Sequence, residues 1–156
     1  MISQTININH RIGIKSDISN VYEALSTIKG LSGWWTEEVS GDSNVGGKIN
    51  FFFRSLTGEL QGQMVMEVTK SIANQAVHWR CLEGPQEWIG TDFQFNLTQQ
   101  GEHTIVLFAN LNWREYVEFT SHCSMKWATF LLSLRSLVEE GKGRPAPNDI
   151  KIDNWN

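Results

Sequence analysis

A long stretch of helical spacing near the end of the chain sets the strongest limit on its fold. Across residues 115–140 the apolar side chains step by three and four positions, which places them on one face of an α-helix. They are Phe119, Cys123, Trp127, Phe130, Leu131, Leu134 and Val138. Gly141 predicts the end of this helix, and Pro145 prevents its continuation. Such a helix must bury its apolar face, so the rest of the chain has to cover it.

Most of the preceding chain has the alternating pattern of β-strands. In residues 4–14 isoleucines alternate with polar side chains, which predicts a half-buried strand. The other segments that predict strands are residues 48–54, 58–70, 75–83, 87–97 and 103–113. The last segment is apolar on both faces, which is typical of a central strand or of one with a covered outer face. Short turns join the segments, so we expect one antiparallel sheet.

Two short helices are predicted between the first strand and the others. Either Ser16 or Asp17 can cap the first helix, and residues 31–35 form a second helical turn. Residues 40–47 are rich in turn formers and predict a loop. The chain of 156 residues fits one domain. We place that domain at residues 1–145 and an irregular C-terminal tail at 146–156.

Composition and charge exclude several classes of function. The formal net charge is −4 and no run of Lys or Arg occurs, so nucleic-acid binding and polybasic membrane attachment are disfavoured. No apolar run of about 18 residues is present to insert into a membrane. The start of the chain lacks the features of a signal peptide, which predicts a cytoplasmic protein. The histidines lack the spacing of metal ligands, so neither a metal nor a cofactor is predicted.

Five stretches resemble a known family when they are taken together and in order. They are VYEALSTIKGLSGWW at residues 21–35, GGKINFFF at 46–53, VHWRCLEGPQEWIGTDFQFNL at 77–97, TIVLFANLNW at 104–113 and KWATFLLSLRSLVEEGKGRP at 126–145. These stretches resemble the START-like superfamily, also called SRPBCC. The branch that they resemble contains the bacterial homologues of the activator of heat-shock chaperone ATPase. The resemblance covers residues 4–145.

The resemblance implies an α+β helix-grip fold. In that fold a curved seven-stranded antiparallel sheet wraps around the long C-terminal helix, and two short helices follow the first strand. In the family a cavity between sheet and helix binds hydrophobic small molecules, and some members are cyclases or dehydratases. Many relatives carry a histidine shortly before a Gly-Trp pair at the end of the seventh strand. This chain has Asn-Leu-Asn-Trp there, at residues 110–113, which argues against histidine-dependent chemistry at that place.

Aromatic and sulfur-containing side chains dominate the faces that we expect to enclose the cavity. The resemblance places Trp34 and Trp35 in the second short helix, which closes one end of it. Adjacent side chains on a helix diverge by about 100°, so we expect one ring to pack inward and the other to lie at the mouth or against the neighbouring strand. The predicted ligand-binding residues are Trp34, Trp35, Phe51, Phe53, Met64, Met66, Trp79, Phe93, Phe95, Phe108, Trp113, Phe119, Cys123, Trp127 and Phe130.

His10 and Asn110 are the candidates for chemistry inside the cavity. His10 lies on the isoleucine face of the first strand, and Asn110 faces the same space from the last strand. In the resembling fold these strands are neighbours, so the two side chains would form one polar site that orients a ligand or transfers a proton. The competing interpretation is that His10 forms hydrogen bonds only to the backbone or to water and has no role in function. Cys81 and Cys123 are expected to be buried thiols, so no catalytic residue is assigned.

Three interpretations of the function stay open. The leading one is the binding of a hydrophobic small molecule in the cavity without catalysis. The second is a cyclase- or dehydratase-like enzyme that uses His10. The third is a protein-interaction or co-chaperone-like module that acts through an apolar sheet face formed by Ile105, Leu107 and Leu111. A second subunit or a client protein would cover such a face, so a homodimer is a possible assembly.

Overall fold

The structure is a computed structural model that describes residues 6–156. Within this range one antiparallel sheet of seven strands curves around a long helix. The elements are β1 Ile6–Ile14, α1 Ile18–Ser26, α2 Ile28–Trp34, β2 Glu38–Gly41, β3 Lys48–Arg54, β4 Leu60–Ile72, β5 Ala76–Glu83, β6 Asp92–Gln100, β7 His103–Trp113 and α3 Glu118–Glu140. The predicted α+β helix-grip fold, with two short helices after the first strand, is confirmed.

The strand order places the first strand of the chain beside the last. From edge to edge the order is β1-β7-β6-β5-β4-β3-β2, and every neighbouring pair is antiparallel. The helix α3 lies against one face of this sheet. The ring centroid of its Trp127 is 4.4 Å from that of Phe108 in β7 and 5.5 Å from that of Phe93 in β6. The hydrophobic core therefore lies between that face and α3.

Local capping explains where the helices begin and end. At the start of α1 the carboxylate of Asp17 accepts a hydrogen bond from the backbone N–H of Ser19 at 2.9 Å, which lowers the pKa of Asp17. Thr27 separates α1 from α2, and its hydroxyl accepts from the backbone N–H of Gly30 at 3.0 Å. Gly141, with a φ of 83°, ends α3 at the predicted place.

Several other element ends shift by a few residues from the predicted ones. α2 begins at Ile28, before the predicted turn at residues 31–35, because a threonine caps it. α3 begins at Glu118 rather than at residue 115. The first two residues of the predicted strand 4–14 lie outside the described part of the chain. None of the helices within the described range is long and apolar enough to cross a membrane.

The segment before β6 is a turn and not the beginning of a strand. The prediction of a strand over residues 87–97 is wrong for its first part, since β6 begins at Asp92. The backbone N–H of Trp88 donates to a carbonyl three residues earlier at 2.9 Å, and Gly90 has a left-handed φ of 86°. This turn buries Trp88 and leaves Ile89 partly exposed.

A short edge strand occupies the start of the predicted loop at residues 40–47. β2 pairs with β3 in antiparallel register from Glu38 to Gly41. The sequence pattern does not identify this strand, because so few residues do not distinguish alternation from chance.

The outer face of β7 exposes less apolar surface than the sequence indicates. Ile105 is buried and Leu111 is half-buried, whereas Leu107 is 49% exposed. Ile105 pairs with Gly13 of β1, and its Cδ1 lies 3.5 Å from the position that a Cβ of Gly13 would take. The expectation of an exposed patch made of all three side chains is therefore wrong, because Ile105 fills the space beside a glycine.

The segment 146–156 lies against the domain without a regular helix or strand of its own. The backbone N–H of Ala146 donates to the carbonyl of Trp35 at 2.9 Å, and the N–H of Glu37 donates back to Ala146 at 3.1 Å. Further along, Asp149 forms an ion pair with Lys126 of α3. The domain boundary at residue 145 stays a prediction.

Candidate ligand-binding cavity

Two glycines allow α2 to approach its neighbours closely. A Cβ atom at Gly30 would lie 2.6 Å from the Cα of Ala24 in α1, and one at Gly33 would lie 2.9 Å from Cδ2 of Leu137 in α3. Ser133 of α3 adds a direct bond, because its hydroxyl donates to the last backbone carbonyl of α2 at 2.7 Å. These contacts hold the end of α2, and the tryptophans there, against α3.

Trp34 and Trp35 have different surroundings although both rings are fully buried. The indole Nε1 of Trp34 donates to the carbonyl of Ala24 at 3.0 Å, so Trp34 belongs to the core. The ring of Trp35 packs against β3, with its centroid 4.5 Å from that of Phe51 and 5.3 Å from that of Phe53. Of the two tryptophans, Trp35 borders the cavity described next. The mouth of the cavity is therefore formed by residues other than these two.

A cavity that no side chain fills lies at one end of the space between sheet and helix. Its volume is about 480 Å³, and its walls come from β3, β4, the turn before β6, α3 and the tail. The predicted ligand-binding residues that border it are Trp35, Phe53, Met64, Phe119, Cys123 and Phe130. A depression of about 690 Å³ between α2 and the end of α3 is larger, but no aromatic side chain borders it.

The remaining predicted ligand-binding residues pack into a solid core. They are Trp34, Phe51, Met66, Trp79, Phe93, Phe95, Phe108, Trp113 and Trp127; all are buried and none borders the cavity. Rings therefore fill one part of the grip, whereas the part beside β3 and β4 is open. The contribution of any of these residues to ligand binding stays a prediction.

The cavity also has walls that the sequence pattern does not identify. Trp88 borders it from the turn before β6, and Trp155 borders it from the tail. His122 and Lys126 border it from α3. Helical spacing could have predicted that His122 and Lys126 face the cavity, because they lie three positions after Phe119 and Cys123 on the same helix. Nothing in the local sequence indicates that Trp155 reaches the cavity.

Lys126 and Asp149 form a buried ion pair beside the cavity. Lys126 Nζ donates to Asp149 Oδ2 at 2.6 Å and to the carbonyl of Ile150 at 2.8 Å. Lys151 Nζ donates to the other carboxylate oxygen at 2.7 Å. Burial raises the pKa of Asp149, but the hydrogen bonds and charges of the two lysines outweigh burial and lower it overall. The carboxylate is therefore ionised at neutral pH and holds the tail on α3.

A second contact attaches the end of the tail to α3. His122 Nδ1 lies 2.7 Å from Asp153 Oδ2, and this hydrogen bond lowers the pKa of Asp153. The ring of Trp155 covers the same place, with its centroid 5.4 Å from that of His122 and 6.3 Å from that of Phe119. One wall of the cavity thus consists of a segment that the sequence places in an irregular tail.

His10 and Asn110 do not form the shared polar site that the sequence predicts. His10 Nε2 lies 3.0 Å from the carbonyl of Ser124 in α3. Asn110 Nδ2 donates to Thr91 Oγ1 at 3.1 Å, and Asn110 Oδ1 accepts from Trp113 Nε1 at 2.7 Å. Within residues 6–156 no hydrogen bond joins the two, because each has nearer partners. Neither of them borders the cavity.

Both thiols are poor nucleophiles in this environment. Burial raises the pKa of Cys123, which accepts a hydrogen bond from Trp88 Nε1 at 3.4 Å, to about 12. Burial likewise raises the pKa of Cys81 to about 12. The thiolate is the reactive form, and it is scarcely populated at neutral pH. In the described part of the chain, no group of three or more His, Cys, Asp or Glu side chains is arranged to hold a metal ion.

The curved sheet, the gripped helix and the aromatic cavity define a helix-grip protein of the START-like class. The solution structure of the Aha1 dimer from Colwellia psychrerythraea is 43% identical in sequence, with a TM-score of 0.78, over 88% of this chain and 99% of that chain. This chain belongs to the same family, the Aha1-like branch of the START-like superfamily. The resemblance that the sequence motifs indicate is therefore confirmed. Neither a family model nor a curated protein matches the chain.

Two further solved structures share the fold at low sequence identity. CalU16 from Micromonospora echinospora is 16% identical, with a TM-score of 0.73, over 94% of this chain and 74% of that chain. Major latex-like protein 151 from Panax ginseng is 18% identical, with a TM-score of 0.69, over 90% of this chain and 99% of that chain. Identities at this level establish the fold alone.

Proposed function

We propose that this protein binds a hydrophobic small molecule in the cavity between β3, β4 and α3. The observation that carries the proposal is the unfilled volume of about 480 Å³, whose walls include six Trp and Phe rings and Met64 beside polar side chains such as Gln61 and Gln63. Small-molecule sites commonly have volumes of about 300–1,000 Å³ and mainly apolar walls. An apolar ligand that leaves water for such walls gains about 25 cal/mol per Å² of buried apolar surface.

The proposed role is binding without catalysis. Its support is that the ammonium and imidazole groups beside the cavity already have partners: Lys126 bonds to Asp149, and His122 bonds to Asp153. Amide side chains also border the cavity, but amides do not act as general acids or bases. They are those of Gln61, Gln63 and Asn156. A general acid or base needs a group within hydrogen-bond reach of the ligand. His10, on which the cyclase-like alternative depends, lies away from the cavity. That alternative and the cytoplasmic location stay predictions.

Adjacent phenylalanines on β3 provide a matched test of the binding site. Phe53 borders the cavity, whereas Phe52 lies on the opposite face of the strand. Phe53→Gln should weaken the binding of the apolar dye 1-aminoanthracene about tenfold or more, because an amide in the wall loses its bonds to water when the ligand enters. Phe52→Gln should leave the dissociation constant unchanged. Fluorescence titration measures both, and equal affinities of the two variants would contradict the proposed site.

Mass spectrometry of the intact protein provides an independent test. Protein purified from its own host under native conditions should carry an additional mass that Phe53→Gln reduces. Repeated absence of any bound species, together with no binding of 1-aminoanthracene, would rule out the proposed function.

We further propose that the protein forms a homodimer through the outer face of β7. The support is that the Colwellia structure is that of a dimer, and that Leu107 exposes a large apolar side chain beside half-buried Leu111. Leu107→Lys should shift the protein to monomers in sedimentation velocity. Leu56→Lys changes an exposed leucine in the loop after β3 and is the matched control. It should leave the dimer intact. A monomeric parent protein, or a Leu107→Lys variant that is still dimeric, would contradict this interface.

A further inference from the structure

The end of the tail forms part of the cavity wall. Trp155 and Asn156 border the cavity together with His122 and Lys126 of α3. The residues of α3 that border the cavity here are also the ones that hold the tail. A change in the position of the tail would therefore change access to the cavity.

The tail is attached to α3 at one deep point and one shallow point. At the deep point the ion pair of Lys126 and Asp149 is almost completely buried. Breaking it would leave an uncompensated charge in the interior, so this attachment is strong. At the shallow point the side chain of Asp153 is 37% exposed and that of Trp155 is about half exposed. The His122 side chain is 10% exposed, so one partner of this hydrogen bond is largely buried and the other is partly in solvent. A polar contact with a solvent-exposed partner contributes less to stability than a buried ion pair does, so this attachment is the weaker of the two.

The shallow end of the tail is a small unit with its own hydrogen bonds. The backbone N–H of Ile152 donates to the carbonyl of Asn156 at 2.9 Å, and the N–H of Trp155 donates to Asp153 Oδ1 at 2.8 Å. These bonds do not depend on α3. The turn therefore keeps its form when the contact between Asp153 and His122 breaks, and residues 152–156 move together.

We propose that residues 152–156 form a lid that opens and closes the cavity while Asp149 stays fixed on α3. The lid regulates entry of the ligand, so this inference rests on the proposed ligand-binding function. The contact of Asp153 with His122 is the latch of the lid, and the ring of Trp155 is its cover.

Stopped-flow binding of 1-aminoanthracene tests the lid. The double variant Asp153→Ala with Trp155→Ala removes latch and cover, so both the association and the dissociation rate constants should rise about two- to fivefold, the factor by which a weak, partly exposed polar contact favours the closed form. Asn154→Ala, an exposed position within the same segment, is the matched control and should leave both rates unchanged. A side chain that is only part of the wall changes dissociation and leaves association as it is. An unchanged association rate in the double variant therefore overturns the lid.

The motion of Trp155 in the unmodified protein gives a second measurement that does not depend on a variant. The indole ring leaves α3 together with the lid, so saturation with 1-aminoanthracene should reduce the NMR relaxation dispersion of the Trp155 indole N–H several-fold, because the bound molecule favours the closed lid. Unchanged dispersion overturns the proposal. Absence of dye binding overturns the lid and the proposed function together, whereas binding with unchanged association and unchanged dispersion overturns the lid alone.

Discussion

Lys126 Nζ lies 2.6 Å from Asp149 Oδ2, and the two side chains are 6% and 4% exposed. The pair is not symmetrical, because Lys151 also contacts the Asp149 carboxylate at 2.7 Å. Asp149 therefore has two cationic partners, while Lys126 has one anionic partner. This relationship joins the tail to the helix that borders the cavity.

Removal of Asp149 should cost more stability than removal of Lys126. Asp149→Ala leaves the ammonium of Lys126 buried without an anion, which we expect to lower the free energy of unfolding by about 3–5 kcal/mol. Lys126→Met should cost less, since Lys151 still compensates the carboxylate. The double variant Lys126→Met with Asp149→Leu should recover part of the loss, because no buried charge is then left. Urea unfolding measures the stability of all three variants. A larger loss of stability for Lys126→Met than for Asp149→Ala would contradict the conclusion that Lys151 also compensates Asp149.

Acid should weaken the attachment of the tail. The pKa values of Asp149 and Asp153 lie below their ordinary value of 3.8 in the folded protein. The unfolded chain then binds protons at a higher pH than the folded one. The contribution of these carboxylates to stability is complete above about pH 5 and is lost as the pH falls through their lowered pKa values.

Comparison of unfolding at pH 7 and pH 3 measures this dependence. Asp149→Asn should be less stable than the parent protein at pH 7, and it should lose less additional stability on acidification, because it lacks the titrating group. Glu115→Gln, which replaces an exposed carboxylate, is the control and should lose as much as the parent. If Asp149→Asn also loses as much stability between pH 7 and pH 3 as the parent protein, the titration of Asp149 does not cause the loss.

Periodicity is sufficient to predict the bounds of strands such as β3 and β7, and it fails where a turn interrupts the strand. The bounds of β3 and β7 coincide with the predicted segments. Side chains of β3 alternate between core and surface, whereas β7 is apolar on both faces and also buries Ile105 on its outer face. Before β6 the alternation continues through Trp88, but the left-handed Gly90 ends the extended chain. Alternation measures the direction of side chains and does not detect a change of backbone conformation.

The position of the cavity cannot be predicted from the same pattern. Phe51 and Phe53 share a face of β3, yet Phe53 borders the cavity while Phe51 lies in the solid core. Alternation identifies the face of a strand but not which part of that face is left uncovered. The pairing of Lys126 with Asp149 is equally hidden, since it joins a helix to an irregular segment through tertiary contact.

The two adjacent tryptophans should respond differently to the same substitution. Trp34 Nε1 donates to Ala24, whereas Trp35 Nε1 has no partner within the described range. Phenylalanine replaces either ring with a similar loss of volume, but Trp34→Phe also removes a buried hydrogen bond. We expect Trp34→Phe to be less stable than Trp35→Phe by about 1 kcal/mol in urea unfolding. Equal stabilities would show that the hydrogen bond of Trp34 contributes nothing measurable.

Gly30 and Gly33 should differ in their tolerance of alanine. At Gly30 a Cβ would meet the backbone of Ala24, which cannot move without separating α1 from α2. At Gly33 it would meet the end of the Leu137 side chain, which is half-buried and borders a surface depression into which it can shift. Gly30→Ala should therefore cost about 1–3 kcal/mol. At Gly33 the gain in helix propensity of about 1 kcal/mol should offset most of the cost of the close contact with Leu137.

Chemical denaturation followed by circular dichroism distinguishes these two variants. Ser32→Ala lies between the glycines on the same helix and is the control, expected within about 0.5 kcal/mol of the parent protein. Equal losses for Gly30→Ala and Gly33→Ala would mean that α1 and α2 separate as easily as Leu137 rotates. The close approach of α2 to α1 would then not be what holds Trp34 and Trp35 in place.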